Sequence, residues 1–176
     1  MSRSGRNRLV GALAGALVLL GCGGAHKKFE NGVFQDGRVS FRVPATPSSW
    51  ERIDLSDASL AFHDEGRAAT ILVNARCGGK DDDTPLPALV NHLVMGTTER
   101  DFVKEETIPF DAREARHAIL KAKLDGVLRS YDIFVLKKDG CVYDFVYVAP
   151  PARFADATGE FEGFVSGFRT LASSEP

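Results

Sequence analysis

The sequence predicts an α+β fold in which one largely antiparallel β-sheet is flanked by two main helices. Short apolar runs punctuated by glycine, proline and aspartate indicate strands, and two longer segments repeat their apolar residues at helical spacing. Short turn signals join the strands of the second half, which favours hairpins over parallel crossovers. The 44% apolar and 26% charged residues are typical of a globular protein.

The chain begins with a leader in which three arginines precede the apolar run Leu9 to Leu20. As a helix this run would span only about 18 Å, too short for a hydrocarbon layer of about 30 Å, so it predicts a secretory signal. The next residues complete the tetrapeptide Leu19-Leu20-Gly21-Cys22, which resembles the lipobox of bacterial lipoproteins. That resemblance implies that residues 1–21 are removed and that Cys22 is acylated. An ordinary secretory signal with a chance cysteine is the alternative.

Residues 22–28 predict a lipidated tether, because Gly23 and Gly24 carry no packing side chains and two lysines follow near the lipid headgroups. The expected partner of Cys22 is the bilayer, where each buried CH₂ of an acyl chain contributes about 0.8 kcal/mol. Gly23, standing where aspartate would signal inner-membrane retention, resembles the enterobacterial signal for outer-membrane sorting. We therefore expect a cell-envelope location, at the outer membrane rather than the inner one.

Charge argues against nucleic acid as a partner. Without the three leader arginines, the 22 basic residues of the chain fall to 19 against 24 acidic ones, a net charge of about −5. No basic stripe remains to bind phosphates. The body is expected to form one domain over residues 29–171, followed by a disordered tail over 172–176.

Three strands are predicted in the first half, at Val39–Val43, Leu60–Phe62 and Thr70–Ala75, with Trp50 as a core anchor between the first two. A helix follows, with Thr84 as its cap, Pro85 in its first position and Gly96 at its close. Its apolar stripe is formed by Leu86, Leu89, Val90, Leu93 and Val94.

Three aspartates, Asp81 to Asp83, precede this helix. They could bind calcium, but the glycine-punctuated spacing of a calcium loop is missing, so we expect a solvated acidic loop.

The segment Asp111 to Leu124 allows two interpretations. Asp111 and Glu114 resemble a helix capping pair, whereas the later residues alternate and lead into Asp125-Gly126, a strong hairpin signal. We favour the strand, followed by strands at Val127–Leu136 and Cys141–Val148.

A second helix is predicted from Ala152 to Phe168. Its apolar stripe is expected to cover one face of the sheet, although a hydrophobic ligand slot is an alternative. Glycines at every fourth position could allow a close approach to the sheet. The stripe consists of Phe154, Ala157, Phe161, Phe164, Val165 and Phe168, and the glycines are Gly159, Gly163 and Gly167.

The order of these elements resembles that of PsbP-like domains. The resemblance rests on the opening from Asp36 through Val39–Val43 to Trp50, the middle helix, the Asp125-Gly126 hairpin, the Cys141–Val148 strand and the Phe-rich last helix. It implies an α/β/α sandwich over residues 33–171. Such domains occur in photosynthetic extrinsic subunits, a Ran-binding import factor and bacterial lipoproteins, and they share no catalytic residues, so the resemblance favours a binding or assembly role.

Cysteine count predicts a disulfide. With Cys22 acylated, Cys77 and Cys141 remain as an even pair in an oxidising compartment. Two free structural thiols are the alternative. A catalytic thiol is disfavoured because no histidine lies close to either cysteine in sequence.

Chemistry-bearing motifs are otherwise absent from the sequence, which contains no phosphate-binding glycine loop, no zinc-ligand spacing and no nucleophile elbow. His63, His92 and His117 are scattered, and His92 falls off the apolar stripe of its helix. Asp144, in an apolar strand, would need a partner such as Arg129, and such a pair is usually structural.

These observations favour a non-enzymatic, membrane-anchored envelope lipoprotein that binds or stabilises an envelope protein, with no cofactor and no metal. The alternative is a carrier or sensor of a small amphiphile, held in an apolar cavity under Phe161, Phe164 and Phe168.

Overall fold

The computed structural model describes residues 27–79 and 83–171. The predictions for the leader, for acylated Cys22, for the tether up to residue 26, for Asp81 and Asp82, and for the tail at 172–176 lie outside the described residues.

A seven-stranded antiparallel sheet forms the centre of the molecule, with strands in the order β4-β5-β6-β10-β9-β8-β7. The predicted α+β class with a largely antiparallel sheet is confirmed. The strands are β4 (Glu51–Ile53), β5 (Leu60–Asp64), β6 (Ala69–Cys77), β7 (Thr98–Phe110), β8 (Arg113–Leu124), β9 (Val127–Lys138) and β10 (Cys141–Ala149).

A small second sheet, in the order β1-β2-β3-β11, covers part of one face. Its inward rings Phe34 and Phe41 stack with centroids 4.9 Å apart and join the main core. Lys28, which the sequence placed in the tether, instead begins β1 because it pairs with Gln35 of the next strand. The strands are β1 (Lys28–Glu30), β2 (Val33–Gln35), β3 (Ser40–Arg42) and β11 (Arg169–Thr170).

The middle helix, α1 (Leu86–Leu93), lies on the opposite face of the large sheet, as its apolar stripe predicts. Its ends differ from the prediction. Pro85 is the N-cap residue, without a side-chain capping hydrogen bond, and Val94 rather than the region of Gly96 forms the C-cap. Thr84 therefore precedes the cap, and Pro87 in the first turn has no N–H that needs a capping partner.

The predicted last helix is two shorter pieces, a 3₁₀ turn (Phe154–Asp156) and α2 (Thr158–Ser166). The glycine prediction is wrong for two of three positions: Gly159 and Gly163 are exposed, with no atom within 4 Å of an added Cβ. An added Cβ at Gly167, just after α2, would lie 2.8 Å from Pro44 Cγ, so the close approach occurs there alone among the three.

The segment from Asp111 to Leu124 contains the strand β8 and no helix, which confirms the favoured interpretation. Asp111 (φ +44°) and Ala112 (φ +60°) form the turn that opens it rather than a helix cap. That turn joins β8 to β7, a thirteen-residue edge strand that the sequence analysis did not predict. Asp125 (φ +50°) and Gly126 (φ +80°) form the predicted hairpin turn to β9.

The large sheet therefore separates two hydrophobic cores. The larger core lies between the sheet, α2 and the small sheet, and the smaller one lies under α1. Across the described ranges, no helix is long and apolar enough to cross a bilayer.

Candidate functional site

The two cysteines of the body meet where β6 and β10 pair. Cys77 and Cys141 are direct cross-strand neighbours, with Cα atoms 4.1 Å apart, and they are joined by a disulfide. A cavity of about 570 Å³ beside the bond is lined by Arg38, Asp139 and Tyr143, among others. Burial raises the pKa of Tyr143 to about 12, with a smaller contribution from nearby carboxylates, so its hydroxyl stays protonated. The bond ties together two central strands.

Asp144 is buried, as predicted, but its partner is Arg76 on β6 and not Arg129. Asp144 lies opposite Val135 in the β9–β10 pairing, and Arg129 lies six residues further along β9, about 20 Å away. Arg76 pairs with Val142 and therefore lies diagonally beside Asp144 on the same face of the sheet. The pair is a structural tie between β6 and β10.

One histidine of the sheet lies between two carboxylates, an arrangement that the sequence did not predict. His117 Nδ1 lies 3.1 Å from Glu106 Oε1, and its Nε2 lies 2.8 Å from Asp132 Oδ1. The ring stacks on Phe134 with centroids 4.0 Å apart. His117 and Asp132 are buried, whereas Glu106 is half-buried on β7.

Electrostatics favour the charged form of this histidine. Burial by itself would lower the pKa of His117, but hydrogen bonds and charge from Asp132 and then Glu106 outweigh it and raise the pKa above the ordinary 6.5. Hydrogen bonds from Lys104 and then His117 lower the pKa of Glu106. When protonated, the ring donates to a carboxylate from each nitrogen, so His117 joins β7, β8 and β9 and has no nitrogen free to accept another proton.

The His117–Asp132 contact could have been found from the sequence. Counting outward from the Asp125-Gly126 turn places Asp132 opposite Ile119, two residues from the partner of His117. Asp132 is therefore a diagonal cross-strand neighbour of His117. Glu106 lies on the unpredicted strand β7, so its contact carried no sequence signal.

A second cluster joins α2 to the rest of the fold. Trp50 donates its indole N–H to Glu160 Oε2 at 2.6 Å, and Arg67 donates to the same oxygen at 2.8 Å. Arg67 also lies over the Trp50 ring and pairs with Asp64 at 3.4 Å. The bond from Arg67 lowers the pKa of Glu160, against the opposing effect of burial. Trp50 is thus the predicted core anchor, and it borders an open cavity of about 280 Å³.

The aromatic stripe of α2 is packed into the main core. Phe161 stacks on Tyr147 with centroids 5.6 Å apart, and Phe168 contacts Phe145 at 4.8 Å. Phe164 contacts Phe62 at 5.8 Å. These rings occupy the space in which the alternative hypothesis placed an amphiphile.

A larger cleft lies elsewhere, between the β1–β2 turn and the segment after β3. Its volume is about 660 Å³, and Phe29, Phe62 and Val43 contribute to its wall.

The other two histidines in the described part of the chain, His63 and His92, take up no common site. His63 Nδ1 lies 3.0 Å from Thr70 Oγ1, and His92 is exposed on α1, as its position off the apolar stripe predicts. In the ranges 27–79 and 83–171, no group of three histidine, cysteine or carboxylate side chains is arranged to hold a metal ion.

Comparison with solved structures identifies similar folds at low sequence identity. The solution structure of cyanobacterial PsbP (CyanoP) from Synechocystis is 13% identical with a TM-score of 0.56, over 89% of this chain and 98% of that one. LpqN of Mycobacterium tuberculosis, described as involved in cell envelope biogenesis, is 14% identical with a TM-score of 0.55, over 76% and 86%. A mutant of the protein Mog1 is 13% identical with a TM-score of 0.56, over 78% and 93%.

No family model matches the sequence, and no curated protein matches it. Likeness at these identities concerns the fold. The strand order, the two flanking helices and these neighbours together show that the chain has the PsbP-like α/β/α fold.

Proposed function

We propose that this chain is a non-enzymatic lipoprotein of the cell envelope, anchored through acylated Cys22, which binds or stabilises a protein partner there. The observation that carries the proposal is the order of the leader: arginines, a short apolar run, then Leu19-Leu20-Gly21-Cys22. Gly23 after the cysteine favours the outer membrane.

Three observations support this role. A disulfide such as Cys77–Cys141 suits an oxidising compartment outside the cytoplasm. The buried charged groups His117 and Asp144 bind other side chains of the sheet and act as structural ties. The similarly folded LpqN, 14% identical to this chain, is described as involved in cell envelope biogenesis.

The anchor is tested by replacing the cysteine in the full chain. We expect wild-type protein to take up a fatty-acid probe and to fractionate with membranes, whereas Cys22→Ala takes up no probe and leaves the membrane fraction. A Cys77→Ala/Cys141→Ala variant is the matched control, because it lacks two cysteines but keeps the acylation site. An unmodified Cys22→Ala protein that stays with the membrane contradicts the anchor.

The amphiphile-carrier alternative has one observation in its favour, the 660 Å³ cleft beside Phe29 and Phe62. The Cys22→Ala protein has no acyl chain of its own, so any lipid bound to it distinguishes the carrier from the partner-binding role. Stoichiometric lipid in an organic extract of that protein favours the carrier, and its loss in Phe29→Asp would place the lipid in the cleft. A lipid-free protein that crosslinks to an envelope protein favours the partner-binding role.

A further inference from the structure

Exposed apolar side chains concentrate at one end of the large sheet. In the part of the chain that the structure describes, six large apolar side chains are exposed, and four of them lie around the tip of the β8–β9 hairpin. We call these four residues the apolar tip. They are Met95 (65% exposed), Leu124 (44%), Val127 (52%) and Leu128 (43%).

Strand register places Met95, Leu124 and Val127 on one face of the sheet, whereas Leu128, opposite Lys123, points to the other face. Leu124 and Val127 are direct cross-strand partners on either side of the turn. Lys123 pairs with Leu128 on one side and with Thr98 of β7 on the other, which brings the end of α1 alongside the hairpin. Val94, the neighbour of Met95, packs in the same core cluster as Ala122 on β8, two residues from Leu124. Met95, Leu124 and Val127 therefore share the α1 side of the sheet.

The apolar tip is held in place before any partner binds. Asp125 and Gly126 adopt the left-handed conformations of a tight two-residue turn. The Arg100 guanidinium donates to the Met95 carbonyl at 2.8 Å and to the Thr97 carbonyl at 3.0 Å, which fixes the chain after α1. A preformed surface loses little conformational entropy on binding.

The tip also projects from the sheet on its β10 side, whereas on the other side β7 reaches Lys123. β10 ends at Ala149, opposite Ser130, so the hairpin continues three residues, about 10 Å, beyond its neighbour on that side. A projecting surface of this kind fits into a concave one.

Its size and shape argue against a second copy of the chain as the occupant. The side chains of Met95, Leu124 and Val127 together expose on the order of a few hundred Å², which is the scale of a functional surface patch. A stable dimer buries about 800 Å² per partner, and two convex tips facing each other would bury less than either exposes.

Charge argues against a bilayer as the occupant. The rim of the tip carries both signs: Lys123 pairs with Glu99 at 2.7 Å, and Asp125 and Arg129 lie nearby in the hairpin. An anionic lipid surface selects for clustered cations, whereas a mixed polar rim around apolar residues is typical of a protein interface.

The tip lies far from the point where the chain enters the domain. Lys27 Nζ donates to the Ala58 carbonyl at 3.0 Å, just before β5. The cross-strand partners Leu60, Val73, Phe145 and Phe134 lie side by side across the sheet. Ala58 lies two residues to one side of this row and Val127 seven residues to the other, so they are about 30 Å apart along the strands. A domain tethered at Lys27 thus presents the tip away from its tether.

From these observations we propose that the apolar tip docks into an apolar pocket of an envelope protein. This inference rests on the proposed envelope role and names the surface that would perform it. Val127 and Leu124 enter the pocket on the α1 side of the hairpin, Met95 borders them, and the mixed charges of Lys123, Glu99 and Asp125 meet its polar edge.

The test is photocrosslinking of the full-length chain in its own cells, with p-benzoylphenylalanine in place of Val127. The matched control places the same probe at Val103, which is 62% exposed on β7 but stands apart from the tip. We expect one discrete product from position 127, at a mass other than that of two copies, and none from position 103. Leu124→Asp should reduce that product at least tenfold.

The captured protein is then identified by mass spectrometry and purified, and its affinity for the full-length chain is measured. Leu124→Asp should weaken binding at least tenfold and Val103→Asp should leave it unchanged, with both variants keeping the wild-type circular dichroism spectrum. Equal products from both positions, a product of two copies, or a lipid adduct alone at position 127 would overturn the docking surface. Crosslinks to an envelope protein from other positions, with none from 127, would refute the tip and leave the envelope role standing.

Discussion

His117 links the charge state of one residue to the stability of three strands. Its folded-state pKa is raised above the ordinary value of about 6.5 by Asp132 and Glu106. A group of this kind stabilises the fold fully below its unfolded pKa, and the contribution is lost as pH rises through the folded pKa. The stabilisation from His117 should therefore be complete below the unfolded pKa of about 6.5 and be lost as pH rises through the raised folded pKa.

His117→Gln tests this sign. We expect the free energy of unfolding of the variant to fall below that of wild type at pH 6, and the gap to narrow by on the order of 1 kcal/mol by pH 9. Urea unfolding at several pH values measures it, with exposed His92→Gln as the control. A gap that is constant or widens towards pH 9 would show that His117 is not held as a cation.

Contacts between single residues also show which cross-strand pairs can be predicted by counting from a turn. The Asp125-Gly126 turn fixes which residues of β8 and β9 face each other, so the contact between His117 and Asp132 was calculable. The same counting from the turn before Cys141 excludes Arg129 as the partner of Asp144. The same counting could not identify Arg76 as the partner of Asp144. No turn joins β6 to β10, so the register between these two strands cannot be counted from the sequence.

At the scale of elements, α2 shows that glycine spacing is ambiguous until the helix has an orientation. The interval of four residues puts Gly159 and Gly163 on one face, but the Phe side chains take the sheet-facing side. The glycines therefore face outward. Only the residue after the helix, Gly167, meets another chain segment closely, at Pro44.

Two alanine substitutions should have opposite effects for this reason. Gly163→Ala should raise the free energy of unfolding by about 0.5–1 kcal/mol, because it removes backbone freedom from a helix interior without a clash. Gly167→Ala should lower it by about 1–3 kcal/mol, because its methyl group would overlap Pro44. Thermal unfolding of both variants checks the pair, and two changes of the same sign would contradict this packing.

There is a physical reason why the sequence did not predict the strand β7. It is an edge strand, mostly exposed, and its residues Glu99 to Glu106 are largely charged, so no apolar alternation marks it. Two register shifts interrupt its pairing with β8 between Thr98 and Lys104. Edge strands of this kind, charged and irregular, resist pairing with other chains, and they are specified by their neighbour rather than by their own pattern.

At the scale of the molecule, the disulfide joins the two parts of the large sheet. β6 belongs to the first half of the chain and β10 to the second, and Cys77–Cys141 links them across 64 residues. Closing a loop of that length stabilises a fold by about 4 kcal/mol in the chain-entropy description.

Removal of the bond should therefore cost close to that amount. We expect the free energy of unfolding of Cys77→Ala/Cys141→Ala to be about 4 kcal/mol below that of oxidised wild type. Its m-value should be equal or higher, because the unfolded chain without the bond is less constrained. Reduced wild-type protein should behave as the variant does. An equal stability of oxidised wild type and variant would show that the bond adds no constraint.

The sequence by itself determined the fold class, the hairpins of the second half, the core faces of both helices and the pairing of two cysteines. Each of these follows from local signals: alternation with period two, apolar residues at helical spacing, turn residues, and the cysteine count. The leader with Cys22 likewise predicts the anchor, which stays a prediction.

Only the tertiary structure decided which side chains meet across distant strands. Four such contacts depend on how the strands and helices are arranged around the sheet. They are Glu106 with His117, Arg76 with Asp144, Trp50 and Arg67 with Glu160, and Met95 with Leu124 and Val127. That arrangement is set by how two hydrophobic faces are covered at once, a property of the whole chain. Local patterns specify which face of each element is buried, but they leave open which element covers it.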